Sequence, residues 1–203
     1  MTDQESAADL RAVYEPLTAS VRRLIDITIR TEADAPTVAA AMAKIDSAAA
    51  ELSATMTPGS FGVRQADDGQ SLAWGNVVIG VRNPVAPPLV IHHDSEGSVW
   101  TEFVLGSAYE GPAGHVHGGV CALILDHVLG APVHKPGKPA VTGTLTVRYR
   151  RGTPLGALRA EAHIDRVEGS KTFVIGRILD GNGVVTVEAE GVFIYPKKRG
   201  GDN

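Results

Sequence analysis

Cysteine is nearly absent from these 203 residues, and Cys121 is the only one. A lone thiol excludes an intrachain disulfide, argues against a structural cysteine–zinc site and fits a reducing, cytoplasmic compartment. Positive charge is not in excess either. Nineteen Lys and Arg against 23 Asp and Glu give a net charge of −4, which leaves no electrostatic case for nucleic acid or an anionic membrane. No apolar run approaches the roughly 18 residues a spanning helix needs, so no membrane span is expected. The opening MTDQESAADLRAVYEP is acidic and lacks the apolar core of a secretory signal. Repeats and low-complexity segments are missing. What remains is 43% hydrophobic and 21% charged, with a mean hydropathy of +0.01. That is the composition of a soluble globular protein with one substantial core and an appendage.

The first third reads helical. Leu10, Val13, Tyr14, Leu17, Val21, Leu24, Ile25 and Thr28 recur at three- and four-residue spacing and make one apolar stripe, whose beginning Pro16 kinks or shortens. A second helix is predicted after Asp34, with Asp34 as its N-cap and Pro36 in its first turn. Its stripe, Val38, Met42, Ile45, Ala49, Leu52 and Met56, describes a seam against another helix or subunit. Strand and turn signals follow from residue 60. Val77–Gly80 reads as a short strand, NPVAPPL (83–89) as an extended connector outside any sheet, and Leu89–His93 with Ser98–Leu105 as a hairpin around Asp94. TGTLTVRYR (142–150) alternates Leu145, Val147 and Tyr149 with Thr144, Thr146, Arg148 and Arg150. LRAEAHIDRV, KTFVIGRILD and VVTVEAEGVFIYP complete a run of three or four consecutive antiparallel neighbours. The predicted class is α+β: an antiparallel sheet curling around one long apolar helix. Its divisions are a helical extension at 1–57, the sheet domain at 58–196 and a frayed tail at 197–203.

That helix lies in GHVHGGVCALILDHVLGA (114–131). Gly118 and Gly119 allow a sharp turn and close approach of a ligand. The first-turn N–H groups and the positive end of the helix dipole suit an anion, or an oxygen that becomes negative during reaction. Asp126 lies roughly two turns further in, where an unpaired buried carboxylate costs several kcal/mol and so needs a partner or a purpose. Acyl transfer would supply the purpose: the helix start polarises a carbonyl while the carboxylate activates water or attacks. Along one straight helix these groups stand about 10 Å apart, too far to meet on one carbonyl. Two copies of the helix from two subunits would bring them together. The plainer reading stays open: Asp126 caps a neighbouring loop and HGG is only a tight helix entry.

YEGPAGHVHGGVCALILDHVLG, VTGTLTVRYRRGTPLG, IDRVEGSKTFV and VEAEGVFI together resemble the hot-dog-fold acyl-CoA thioesterases. The match is to the phenylacetyl-CoA-thioesterase-like branch, and is similar in particular to the human mitochondrial long-chain acyl-CoA thioesterase type. The resemblance spans roughly residues 83 to 195, and the first sixty residues carry none of it. It implies an enzyme that hydrolyses an acyl-CoA to free acid and coenzyme A. Asp126 would be the general base or nucleophile, and Gly118 would donate the polarising N–H. His117 would hold the turn, and Thr142 would orient water or the carboxylate from the opposite subunit. It further implies a homodimer, which can pair into a tetramer, with no metal and no cofactor beyond the coenzyme A of the substrate. Some relatives carry asparagine six residues before the HGG histidine. Gly111 stands there in this chain, so any role for that asparagine lapses.

Other residues invite competing readings. Cys121, one helical turn after His117, is a core residue or a thiol nucleophile. His92, His93, His115 and His117 suggest metal ligands, but adjacent strand histidines point to opposite faces. Arg148, Arg150, Arg151, Lys197, Lys198 and Arg199 are either solvated charge or contacts for coenzyme A phosphates. The rival function is a non-catalytic hot-dog module that binds an acyl thioester. A hydratase on the same fold is a lesser rival, since His127 points some 100° away from Asp126 on the helix.

Overall fold

Ser6 and Asp34 open the two amino-terminal helices. The computed structural model describes residues 6–134 and 140–195. In it Ser6 caps α1 (Ala7–Arg30) through a reciprocal capping box with Asp9. Asp34 caps α2 (Ala35–Ser53) by accepting from the Thr37 N–H at 3.0 Å, with Pro36 in the first turn as expected. Both side chains satisfy donors that a first helical turn leaves orphaned. Pro16 does not shorten α1, which runs through it. The expected stripe of α1 is half-buried at Leu10, Tyr14, Val21, Leu24 and Ile25, and α2 buries no residue at all.

The chain forms two compact units, Met1–Ala86 and Pro87–Asn203. In the first, a two-strand hairpin of β1 (Arg64–Gln65) and β2 (Ser71–Leu72) supplies Ala66 and Leu72 to a small core with Ala7, flanked by Leu10, Phe61 and Trp74. The Arg82 guanidinium lies 3.5 Å from the Tyr14 ring centroid, and Arg22 donates to the carbonyls of Asn83 and Ala86. The compact unit therefore extends past the helical segment read at 1–57. Val77–Gly80 is not a strand. Asn76 Oδ1 accepts from the N–H groups of Val78 and Ile79 while its carbonyl accepts from Gly80, which coils the segment into turns. NPVAPPL stays outside every strand, and Asn83 starts it with a turn of the same kind.

Among its described residues the second unit holds a six-stranded antiparallel sheet, one α-helix and a single 3-10 turn at Ser107–Tyr109. Its elements are β3 (His92–His93), β4 (Val99–Leu105), α3 (Gly118–Gly130), β5 (Val141–Tyr149), β6 (Gly156–Glu168), β7 (Lys171–Asp180) and β8 (Val185–Ile194), in sheet order β3-β4-β6-β7-β8-β5. The expected hairpin around Asp94 forms, though its first arm is only β3. Asp94 and Asp180 each turn the chain by accepting two backbone N–H groups on a side-chain oxygen. Three of the late strands are consecutive neighbours. The fourth differs: β5 pairs with β8 rather than β6, and so lies at the sheet edge.

Alternate residues on the strands face α3. Val99, Phe103, Leu158, Ala160, Val174, Ile178, Val187 and Phe193 are buried on that side, and Ile124, Leu125, Val128 and Leu129 of the helix are wholly buried. Each of the valine, leucine, isoleucine and phenylalanine side chains contributes about 1.5–3 kcal/mol relative to exposure. Close helix–sheet approach depends on Gly176 of β7, where a Cβ would stand 2.7 Å from Leu129 Cδ1. Among the described residues no helix is long and apolar enough to cross a membrane.

Candidate active site

The segment before α3 is pinned by backbone bonds. The His117 N–H donates to the Tyr109 carbonyl at 2.9 Å, the Val116 N–H to Thr153 at 2.8 Å and the Gly111 N–H to His115 at 2.9 Å. A Cβ at Gly111 would lie 2.7 Å from His117 Cα. No side chain fits there without moving the turn, which gives a steric reason for the absent asparagine.

His117 is the N-cap of α3, with an extended backbone (φ −59°, ψ 133°), and its ring is the cap. Nδ1 accepts from the Gly119 N–H at 3.0 Å, so the ring carries its proton on Nε2. The His117 carbonyl accepts from the N–H groups of Val120 at 2.9 Å and Cys121 at 3.2 Å. Three of the first four helical N–H groups are thereby taken. The Gly118 N–H has no acceptor among the described residues. An amide donor left free at the positive end of a helix dipole is a place for a carbonyl oxygen that gains negative charge.

Beside it opens a hollow of about 370 Å³ lined by His115, Gly118, Cys121, Tyr149, Arg151 and Thr153. A larger one, about 510 Å³, lies between β4, β6 and the β7–β8 turn, and carries Glu102, Arg159 and Asp180. Glu102 and Arg159 pair with each other there, and no helix start faces it.

Asp126 is half-buried and has no hydrogen bond or ion pair among the described residues. Its neighbour His127 is held below the usual imidazole value by burial and by the charge of His134, against the opposing pull of Asp126. Thr142 stands exposed near the start of β5, next to an irregularity at Gly143. No hydrogen bond joins Asp126 or Thr142 to His117 or Gly118 within the chain. The structure thus unites His117 and Gly118 and leaves Asp126 and Thr142 apart from them.

The other sequence candidates separate clearly. Cys121 is buried, burial pushes its thiol up, and the thiol donates to Thr153 Oγ1 at 3.7 Å, so it is a core residue. His92 stacks on Trp100 at 4.3 Å, and among the described residues no three His, Cys, Asp or Glu side chains are grouped to hold a metal. Arg150 is tied to Glu188 at 2.6 Å, whereas Arg151 lines the hollow beside Gly118. Lys197, Lys198 and Arg199 lie outside the described residues. Sequence reasoning missed Tyr149, whose hydroxyl donates to the Gly118 carbonyl at 2.9 Å. The alternation of β5 put Tyr149 on the helix-facing side, and that was the only signal for it.

Comparison with known proteins fits this geometry. The thioesterase superfamily profile matches residues 113–187, the stretch from the HGG turn to β8. The crystal structure of the thioesterase superfamily protein RHA08564 superposes with a TM-score of 0.79 at 34% identity, over 90% of this chain and 95% of that one. This chain belongs to the thioesterase superfamily. Its sheet and α3 are the hot-dog fold expected from the sequence, and the superposition with that superfamily member extends through most of the amino-terminal unit as well. Acyl-coenzyme A thioesterase THEM4 of Xenopus laevis is 32% identical over 94 residues, 45% of this chain and 42% of that protein. The chain thus spans about two fifths of the length of this relative. The BH2602 protein of Bacillus halodurans, crystallised with CoA, is 25% identical with a TM-score of 0.51 over 56% of this chain and 77% of its own.

Proposed function

We propose that this member of the superfamily hydrolyses an acyl-coenzyme A thioester to the free acid and coenzyme A, as a homodimer with sites shared between subunits. The free Gly118 N–H, in a turn whose neighbouring donors are all occupied, carries the reading. The thioester oxygen accepts from that N–H and is stabilised most when attack at the carbonyl carbon makes it an oxyanion. Asp126 of the other subunit takes a proton from the attacking water, which Thr142 orients; alternatively the carboxylate attacks directly, and water then hydrolyses the acyl–Asp126 anhydride and supplies the proton for the thiol. By either course the carbon–sulfur bond breaks, and the departing sulfur receives the proton to leave as the coenzyme A thiol. His117 holds the turn. No dissociable cofactor enters.

Two observations support the dimer. Among the described residues Asp126 has no hydrogen bond or ion pair, and β5 is a nine-residue strand at the edge of the sheet. Antiparallel pairing of β5 with its copy about a two-fold axis would continue the sheet and set both α3 helices on one face, running in opposite directions. Each Gly118 would then approach the other subunit's Asp126. The coenzyme A class is supported by what the Xenopus relative is named for and by the ligand of the Bacillus neighbour. Arg151 and His115, in the hollow beside Gly118, suit the diphosphate.

The test is thiol release from a panel of acyl-CoAs, short aliphatic to long-chain and aryl, by wild type and Asp126→Asn. Wild type should turn over at least one member, and the folded variant should lose ~100-fold or more. An inert wild type, or a fully active variant, would make Asp126 structural and leave a module that only binds thioesters.

A further inference from the structure

The peptide unit between Gly118 and Gly119 is held at both ends. Its carbonyl accepts from the Tyr149 hydroxyl at 2.9 Å, and its N–H donates to His117 Nδ1 at 3.0 Å. The preceding unit, between His117 and Gly118, is held at one end only: its carbonyl accepts from Val120 and Cys121, and its N–H is the free one. Gly118 has no side chain to restrict it, and glycine is the residue with the widest range of backbone conformations. Whatever fixes the direction of the Gly118 N–H must therefore act through the two flanking peptide planes. The helix holds one plane, and a pair of side chains holds the other.

Tyr149 reaches this peptide from another element. It lies at the end of β5, paired with Val187 of β8, so its Cα is set by the sheet rather than by the loop it touches. Its ring packs against Gly118: a Cβ there would sit 3.3 Å from Cε1, Cζ and Oη. The contact joins residues 31 positions apart, between an exposed strand end and a helix start.

We infer that Tyr149 is a positioning residue that, with His117, fixes the Gly118–Gly119 peptide and thereby aims the Gly118 N–H at the developing oxyanion. This rests on the thioesterase reading above. The Tyr149 hydroxyl commits its proton to the Gly118 carbonyl, so its effect on the reaction passes through this peptide. Loosening its hold should affect the transition state, where the N–H counts most, more than ground-state binding.

Steady-state kinetics of Tyr149→Phe and Tyr149→Leu, on an acyl-CoA that wild type hydrolyses, test this. Phe keeps the ring against Gly118 and removes only the hydroxyl, and Leu removes both. The expected result is a kcat lowered roughly 10-fold in both, with KM within about twofold and the thermal midpoint of the Phe variant unchanged. Wild-type kcat in the Phe variant, or a loss carried by KM alone, would overturn the inference, because the tyrosine would then serve packing or binding. If Asp126→Asn is inactive while Tyr149→Phe is wild type, the positioning role alone falls. An inert wild type removes it together with the proposed function.

Discussion

α2 and α3 are both helices with apolar residues at helical spacing, and their surroundings are opposite. α3 buries Cys121, Ile124, Leu125, Val128, Leu129 and Gly130 against the sheet. α2 buries nothing, and Val38, Met42 and Leu52 are 47%, 58% and 57% exposed. α3 is apolar nearly all round, as a core helix is, while α2 carries one stripe on an otherwise small and polar surface. Periodicity sets the helix in both cases, but burial is decided by what the rest of the chain brings to it. Where burial is complete, the helix axis is fixed to the sheet, and the groups at its start can be aimed. The proposed site draws on α3 for that reason.

Core truncation should open the widest gap between the two helices. Leu125→Ala is expected to cost about 2–5 kcal/mol in denaturant unfolding, because it removes a wholly buried side chain and leaves a cavity. Met42→Ala on α2 should stay within about 0.5 kcal/mol for the isolated chain. Comparable losses would show that α2 is packed in solution and erase the contrast.

A finer probe uses the half-buried polar step of α3. Burial, aided by His134, holds His127 below its usual 6.5, so the folded state disfavours the charged ring. The unfolded chain therefore binds the proton first as pH falls. The stability tied to this group is complete above about pH 6.5 and is lost on acidification toward the lower folded value. Thermal midpoints measured from about pH 8 to pH 5 should fall less steeply in His127→Gln than in wild type. Parallel curves would mean that His127 titrates alike in both states.

Much of this arrangement was legible in the sequence. Asp34 with Pro36 marked the start of α2, Asp94 marked a tight turn, and the HGG run marked the entry of α3. These are local signals, with cause and effect within four residues of each other. Val77–Gly80 was misread because Val-Val-Ile favours a strand, whereas Asn76, just upstream, takes the N–H groups a strand would need. The place of β5 was also hidden, since its alternation is the same whether its neighbour is β6 or β8. The alternation groups Tyr149 with Leu145 and Val147 on one face, but its contact with Gly118 depends on that sheet order. The free Gly118 N–H emerged only when the partners of Gly119, Val120 and Cys121 were known.

The central claim is that Gly118 and Asp126 act on one thioester from different subunits, and mixed dimers test it most directly. Gly118→Pro removes the N–H at a first helical position that tolerates proline. The extended backbone of His117 suits a following proline as well, and a Cβ at Gly118 would stand 3.3 Å from the Tyr149 ring, which must yield a few tenths of an ångström. Alone, Gly118→Pro and Asp126→Asn should each lose ~100-fold or more in kcat. Dissociated, mixed in equal amounts and reassociated, they should recover about a quarter of wild-type activity, because half the dimers then contain one intact site of two. A mixture with verified heterodimers that is no more active than its components would contradict the shared site.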